Sequence, residues 1–411
     1  MVCVMNKLIK KPELLAPAGD LEKLKTALHY GADAVYLSGE NYGLRAGAEN
    51  FSLEEMAAGV ALAHKKGARA YLALNIFAHN SDINSLPSYL REIESIGVDA
   101  IIASDAGVID VVKESLPGTE LHLSTQANTT NWRSIAFWKK QGVSRVCVAR
   151  ELSLDEIREV KDRVDIEVEA FVHGAMCISY SGRCLISSYM TGRSANLGDC
   201  AHPCRYRYAL VEETRPGEYF PVEEDERGTY MMSSKDLCMV EHIDKMVTAG
   251  IDAFKIEGRT KGIAYVGNVV RVYRDGIDRY LNNPGEFHPD PSWMQELKAV
   301  SNRDYTTGFY FDRPFVKGQN YLTSSSSPSG REFVGVVRRV TGKEVMLEVR
   351  NRLKIDETLE FVGLSREPYS YTVETMEGLS GEPLLAANPG MTVVLKVAFP
   401  ASVNDMVRRR T

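Results

Sequence analysis

The chain has 411 residues, 44% hydrophobic and 25% charged, with 49 Lys+Arg against 55 Asp+Glu for a formal charge of −6. So much apolar side chain excludes a disordered or low-complexity protein, and the length suffices for one large core and a further domain. The mild acidity excludes a surface built throughout to coat nucleic acid, but not a local basic patch.

The opening residues, MVCVMNKLIKKPELL, lack the apolar stretch of a secretory signal, and no uninterrupted apolar run of ~18 residues occurs. A cytoplasmic protein with no membrane partner is expected. In chain order, short apolar runs recur at 13–19, 33–39, 69–75, 99–105, 120–126, 144–150, 166–174 and 252–259. Between them lie segments of helical period, such as SLEEMAAGVALAHKKGA and SLDEIREVKDRV, several closed by the glycine a helix C-cap favours. Eight alternating βα units with no dinucleotide-type glycine turn after the first strand predict an α/β fold, a (β/α)8 TIM-like barrel.

The seventh unit is irregular. About sixty residues separate Gly174 from the helix before the eighth strand, where a βα loop needs only ~2–6. This stretch contains a cysteine cluster and then RYRYALVEE, EYFPVEED and GTYMMSS, whose alternation predicts an antiparallel ribbon. The last barrel helix is expected over 261–281. The division that follows is a barrel over 1–283 with a cysteine-rich insertion at 175–233, a linker over 284–330, and a small all-β barrel over 331–411. That last domain carries 12 Lys+Arg and 11 Asp+Glu, and its Arg408-Arg409-Arg410 end reads as a solubilising tail.

Of seven cysteines, Cys177, Cys184, Cys200 and Cys204 fall within 28 residues, among Gly, Ser, Asn and Arg. Exposed thiols oxidise and thiolates repel one another, so a bound metal or cluster explains their proximity best. Only Cys200 and Cys204 have zinc-knuckle spacing; the wider intervals suit an iron–sulfur centre better, with zinc remaining open. Cys238 stands as a substitute ligand, although packing at a helix start explains it more simply. The segment Cys177–Tyr208 holds Arg183, Arg193, Arg205 and Arg207 against Asp199 alone, a local charge of +3 on a negative protein.

Strand ends supply a polar set that converges on the barrel mouth: Ser38, Asn75, Asp105, Ser124, Gln126, Arg150, His173, Lys255, Glu257 and Arg259, with Arg45 in the loop after the second strand. His173, Lys255 and Glu257 are the candidate catalytic residues. Lys255 and Glu257 share one strand face and are expected to form an inward ion pair. No HExxH, no GxxxxGK[ST] and no CxxxCxxC occurs, which leaves zincin peptidase, P-loop and radical-SAM chemistry without support.

The run EAFVHGAMCISYSGRCLIS (169–187), with ELLAPAGDLEKLKTAL, YGLRAGAENFS, HLSTQANTTN, NLGDCAHPCR and FKIEGRTK, resembles the signature of peptidase family U32, the collagenase-like proteases. The β-rich end resembles that family's C-terminal domain. The chain is most similar to the longer members that hydroxylate tRNA. The resemblance implies a [4Fe-4S] cluster on Cys177, Cys184, Cys200 and Cys204, with Cys238 the alternative to Cys204. It also implies oxygen-independent formation of 5-hydroxyuridine at the tRNA wobble position, with prephenate as co-substrate and an electron-donor or partner protein. In that reading Arg183, Arg205 and Arg207 attract tRNA phosphates, and Arg45, Arg150 and Arg259 bind prephenate's carboxylates. The alternatives are a U32-type peptidase with structural zinc and a non-catalytic RNA-binding or assembly factor.

Overall fold

The structure, a computed structural model, describes residues 10–43, 50–176, 186–193, 200–201, 203, 209–210, 220–221, 235–300, 304–312, 330–364 and 367–411. Strands β1 Glu13–Pro17, β2 Ala34–Leu37, β3 Arg69–Leu74, β4 Ala100–Ala103, β5 Glu120–Leu123, β6 Arg145–Cys147 and β7 Glu167–Ala175 pair in sequence order, all parallel. After the short β8 Ala209–Leu210, β9 Phe220–Pro221 and β10 Asp236–Cys238 comes β11 Ala253–Ile256, which pairs with both β7 and β1 and closes the barrel. The eight-strand barrel read from the sequence is therefore the fold.

Helices α1 Leu21–His29, α2 Leu53–Lys65, α3 Asn80–Ile96, α4 Ala106–Ser115, α5 Trp132–Lys140 and α6 Leu154–Arg163 alternate with these strands. Most begin on a side-chain cap. Asp20, Asp105 and Asn131 accept from backbone N–H groups, and Ser52 with Glu55 and Ser153 with Glu156 form capping boxes. The main apolar core lies between strands and helices, where Leu14, Val35, Leu72, Ile101, Val146, Val168 and Phe254 are fully enclosed.

The chain then runs through α7 Ile186–Thr191, α8 Ile243–Thr248 and α9 Ile263–Asn282, the last helix of the barrel. Strands β8 and β9 pair antiparallel, a fragment of the expected ribbon. The stretch read as a linker is structured: it contains α10 Pro291–Lys298 and β12 Tyr305–Thr306, and β12 pairs with β10. In turn β10 pairs antiparallel with the end of β7 (Leu237 opposite Gly174), so the barrel sheet extends past β7 through β10 and β12. A linker reading failed here because the pairing partners of β12 are about seventy residues away in sequence and leave no local periodicity.

Strands β13 Arg331–Thr341, β14 Glu344–Val349, β15 Leu353–Lys354, β16 Thr358–Val362, β17 Tyr369–Thr372, β18 Ala386–Ala387, β19 Thr392–Lys396 and β20 Met406–Arg410 make the C-terminal domain. Six of them form an antiparallel sheet in the order β17-β16-β20-β13-β14-β19. The small all-β domain read from the sequence is therefore present, as an antiparallel half-barrel.

The three terminal arginines are no tail. They belong to β20, an interior strand of this sheet. Arg408 binds Glu296 of α10 through two nitrogens (2.8 and 2.9 Å) and Glu360 of β16 (2.8 Å), while Arg409 binds Glu332 and Glu357. Arg408 is thus buried between the two domains, with every nearby carboxylate compensating its charge. The same interface holds Tyr30, whose hydroxyl donates to the Val362 carbonyl (2.5 Å) and accepts from Met406 N–H (2.9 Å), and a His29–Asp405 pair at 2.8 Å.

Candidate functional site

Alternation along the parallel strands sends one set of side chains into the barrel, and here that set is charged where a parallel barrel is ordinarily apolar. Glu13, Arg69, Glu120, Arg145, Glu167, Glu169 and Lys255 share the interior register with Tyr36, Tyr71, His122, Cys147 and Phe171. Arg145 is the hub: its guanidinium binds Glu13 (2.5 Å) and Glu167 (2.8 Å) and lies 3.8 Å from Glu169. Tyr71 donates to Glu13 at 2.7 Å. His122 meets Glu120, which Arg69 also binds, and together they hold the Glu120 carboxyl down to about 2.

Toward the mouth the ladder ends in Lys255. Its Nζ donates to Glu169 Oε1 at 2.6 Å and lies 4.6 Å from the Tyr36 ring centre and 5.6 Å from that of Phe171. Both charges are almost fully enclosed. Burial alone would raise the Glu169 carboxyl, yet the Lys255 and Arg145 charges outweigh it and hold the group below the ordinary range. Arg150 completes the group, its guanidinium lying 3.7 Å from the Phe171 ring centre on the same aromatic that flanks Lys255. An enclosed ammonium, a guanidinium on an aromatic face and a tyrosine make a floor suited to holding an anionic or carbonyl-bearing small molecule.

The structure separates the three candidate catalytic residues. Lys255 pairs with Glu169 on the neighbouring strand, not with Glu257 as expected: it stands opposite Phe171 in the β7–β11 register, and its long side chain reaches the carboxylate two residues earlier on β7. The Glu257 backbone joins β7, its N–H donating to the His173 carbonyl at 2.9 Å. His173 is turned out of the barrel. The β7–β11 register jumps from Phe171–Lys255 to His173–Ile256, and this bulge moves the ring to the outer face among Tyr265, Tyr273 and Tyr305. Burial, with the charge of Lys261, lowers its pKa to about 3, so it is neutral at physiological pH.

Of the substrate-binding candidates, Arg259 is buried, its carbonyl oxygen only 2.2 Å from where a Cβ on Gly19 would stand, beneath the turn after β1. Asp105 and Ser124 act as helix caps, and Ser38 donates to the Ala73 carbonyl. Arg45, Arg183, Arg205 and Arg207 lie outside the described residues, as do Cys177, Cys184 and Cys204. Cys200 is half-buried, and the N–H of the following Ala201 donates to Ser187 Oγ of α7 at 3.0 Å.

Among the described residues, no three His, Cys, Asp or Glu side chains form a metal-holding group. Two cysteines outside the cluster are unsuited to ligation. Burial pushes the Cys147 and Cys238 thiols up to about 12, and the Cys238 sulfur lies 3.9 Å from the Tyr273 hydroxyl on the outer face of the barrel. Cys238 is enclosed against Tyr273, whereas the loop cysteines have the polar and basic surroundings in sequence that a thiolate-held group requires.

Sequence reasoning missed Glu13, Arg145, Glu167 and Glu169. The signal was present: charges two apart in IEVEAFVHG, within strands that should be continuously apolar in a parallel barrel.

No helix among the described residues is long and apolar enough to cross a membrane. The model of peptidase family U32 matches residues 19–320, and that of the peptidase family U32 C-terminal domain matches residues 329–408. The tRNA hydroxylation protein P1 of Bacillus subtilis (strain 168) is 44% identical over 403 residues, covering 97% of this chain and 95% of that protein. The tRNA hydroxylation protein P of Escherichia coli (strain K12) is 36% identical, covering 96% and 95%. The 23S rRNA 5-hydroxycytidine synthase of the same bacterium is 36% identical over 72% of this chain and 43% of its own length. With both of its domains matched, the chain belongs to peptidase family U32.

Proposed function

We propose that this protein hydroxylates RNA, its substrate being tRNA and its product 5-hydroxyuridine at the wobble position. The observation that carries this reading is the end-to-end similarity to two tRNA hydroxylation proteins, which extends through barrel, insertion and C-terminal domain. The similarity to a 5-hydroxycytidine synthase supports pyrimidine C5 as the reacting position. Cys177, Cys184, Cys200 and Cys204 would hold a [4Fe-4S] cluster, which when bound supplies one-electron transfer. The reaction would use prephenate as co-substrate and an electron-donor protein, without molecular oxygen.

The chain's own residues have distinct tasks in this reading. Lys255, hydrogen-bonded to Glu169, and Arg150, held on Phe171, bind and orient the carboxylates of the small co-substrate. The aromatic walls of Tyr36 and Phe171 exclude water from it, which strengthens each charged contact. Arg183, Arg205 and Arg207 attract tRNA phosphates, a contribution that weakens as salt rises. The peptidase alternative has no support in the geometry, since among the described residues neither placed histidine of the barrel strands is hydrogen-bonded to a serine or cysteine: His122 meets Glu120, and His173 sits in its tyrosine cage.

Deletion of the gene in a strain with no second hydroxylation route should abolish wobble 5-hydroxyuridine and nucleosides built from it, measured by mass spectrometry of tRNA digests. Unchanged levels overturn the reading. Complementation with Cys200→Ala should fail to restore the nucleoside while tRNA binding persists; restoration by that variant overturns the cluster assignment, and loss of binding favours a structural role.

A further inference from the structure

The bulge in β7 leaves successive carbonyls to be satisfied outside the barrel ladder. β6 ends opposite Glu169, whose carbonyl still accepts from Val148 N–H at 3.0 Å. Two residues on, the Phe171 carbonyl points to the same side with no strand beside it, and the hydroxyl of Tyr310 donates to it at 2.6 Å. On the opposite side the Val172 carbonyl accepts from Tyr273 of α9, also at 2.6 Å, and from Met239 N–H at 3.0 Å. A third tyrosine, Tyr265, donates to the Glu257 carbonyl at 3.0 Å, where β11 leaves the barrel against Gly174. All three rings are enclosed.

Tyr310 is itself anchored. Its carbonyl accepts from Leu154 N–H at the start of α6 (3.1 Å), and the turn around Gly308 lies on Met176, with 3.4 Å between the Met176 methyl and a Cβ position on Gly308. Met176 directly precedes Cys177 in the sequence. Without Tyr310 the Phe171 carbonyl would be buried with its donor gone, and without Tyr273 the Val172 carbonyl would keep only the Met239 N–H. A bulged strand released from these hydroxyls would therefore relax toward regular pairing, and a shift of one residue swaps inward and outward faces.

We infer that Tyr310 and Tyr273 are positioning residues for the cysteine-bearing connection: their hydroxyls clamp the β7 bulge, and the bulge sets the direction in which the chain leaves the barrel toward Cys177. The inference rests on the cluster reading only for its consequence, since the clamp is a property of described residues. It assigns a task to 304–312, a segment between the two domains: it holds β7 in the conformation from which the cysteine loop departs.

The test compares Tyr310→Phe and Tyr273→Phe with Tyr30→Phe in the full chain, purified anaerobically. Tyr30→Phe removes a buried hydroxyl that also bonds a carbonyl and an N–H, but at the domain interface. Hydrogen exchange over 168–176 should accelerate about tenfold in Tyr310→Phe and Tyr273→Phe and stay at the wild-type rate in Tyr30→Phe, even where the three lose equal thermal stability. The electron paramagnetic resonance spectrum of the reduced cluster should change in the first two variants alone. Wild-type exchange in both clamp variants, or equal acceleration in Tyr30→Phe, overturns the clamp. A changed exchange rate with an unchanged spectrum overturns its coupling to the cluster. Wild-type protein free of iron and sulfide would instead overturn the cluster reading, and exchange alone would then decide the clamp.

Discussion

Glu169→Gln, Lys255→Met and the double variant form a cycle whose outcome follows from the barrel interior. Glu169 and Lys255 have side chains only 2% and 7% exposed and share a 2.6 Å hydrogen bond. Removing one partner of a buried pair costs about 3–5 kcal/mol, chiefly because the other charge is left uncompensated. Glu169→Gln removes the compensating charge and leaves the Lys255 ammonium an uncharged amide oxygen beside the Tyr36 and Phe171 rings, which return at most about 2 kcal/mol. The expected net loss is about 2–4 kcal/mol. Lys255→Met leaves Glu169 with Arg145 at 3.8 Å, and about 1–3 kcal/mol should be lost. The double variant carries neither charge and should be less destabilised than Glu169→Gln alone, giving a coupling of at least about 1 kcal/mol.

The assay is urea unfolding followed by hydrogen exchange in β7 and β11, which isolates the barrel in a chain whose two domains need not unfold together. The wild-type pair contributes fully above the unfolded carboxylate value of ~4.3 and is lost as pH falls through the lower value of folded Glu169. Glu169→Gln should lack that acid limb. A double variant whose loss equals the sum of the singles would refute the pairing as the source of the stability.

Two further outcomes follow. His173 protonates at about 3 in the folded chain because of its burial and the nearby Lys261 charge, against ~6.5 unfolded; stability should therefore be constant above that value and fall below it by up to ~1.4 kcal/mol per pH unit. His173→Phe should remove that slope in pH-dependent denaturation, and an unchanged slope would place the titration elsewhere. Gly174 has φ +104 and a Cβ position 2.6 Å from the Glu257 carbonyl, so Gly174→Ala should cost at least about 1–3 kcal/mol in thermal unfolding. A neutral result would refute close packing at the β7–β11 exit.

The barrel was legible in the chain because its information is local. Strand–helix alternation, helix caps at Asp20, Ser52, Asp105 and Ser153, and glycine stops are written within a few residues of one another, and eight repeats admit few closed arrangements. The oversized seventh connection and its four cysteines were legible for the same reason. The partners of individual charges were not. Lys255 finds Glu169 across 86 positions, Arg408 finds Glu296 across 112, and nothing near either residue records the choice.

A single extra residue in β7 decided the largest difference. Strand alternation projects His173 toward the mouth, whereas the bulge carries it outward into a tyrosine cage and keeps Phe171 inward beside Lys255. Sequence by itself determined the barrel and the site of its interruption, because these depend on period, spacing and composition. Only the tertiary structure decided that the terminal arginines are an interior strand, that the linker is a brace, and that the barrel interior is an ion-pair ladder. Each of those depends on contacts between distant segments, whose geometry exists only once the chain has closed on itself.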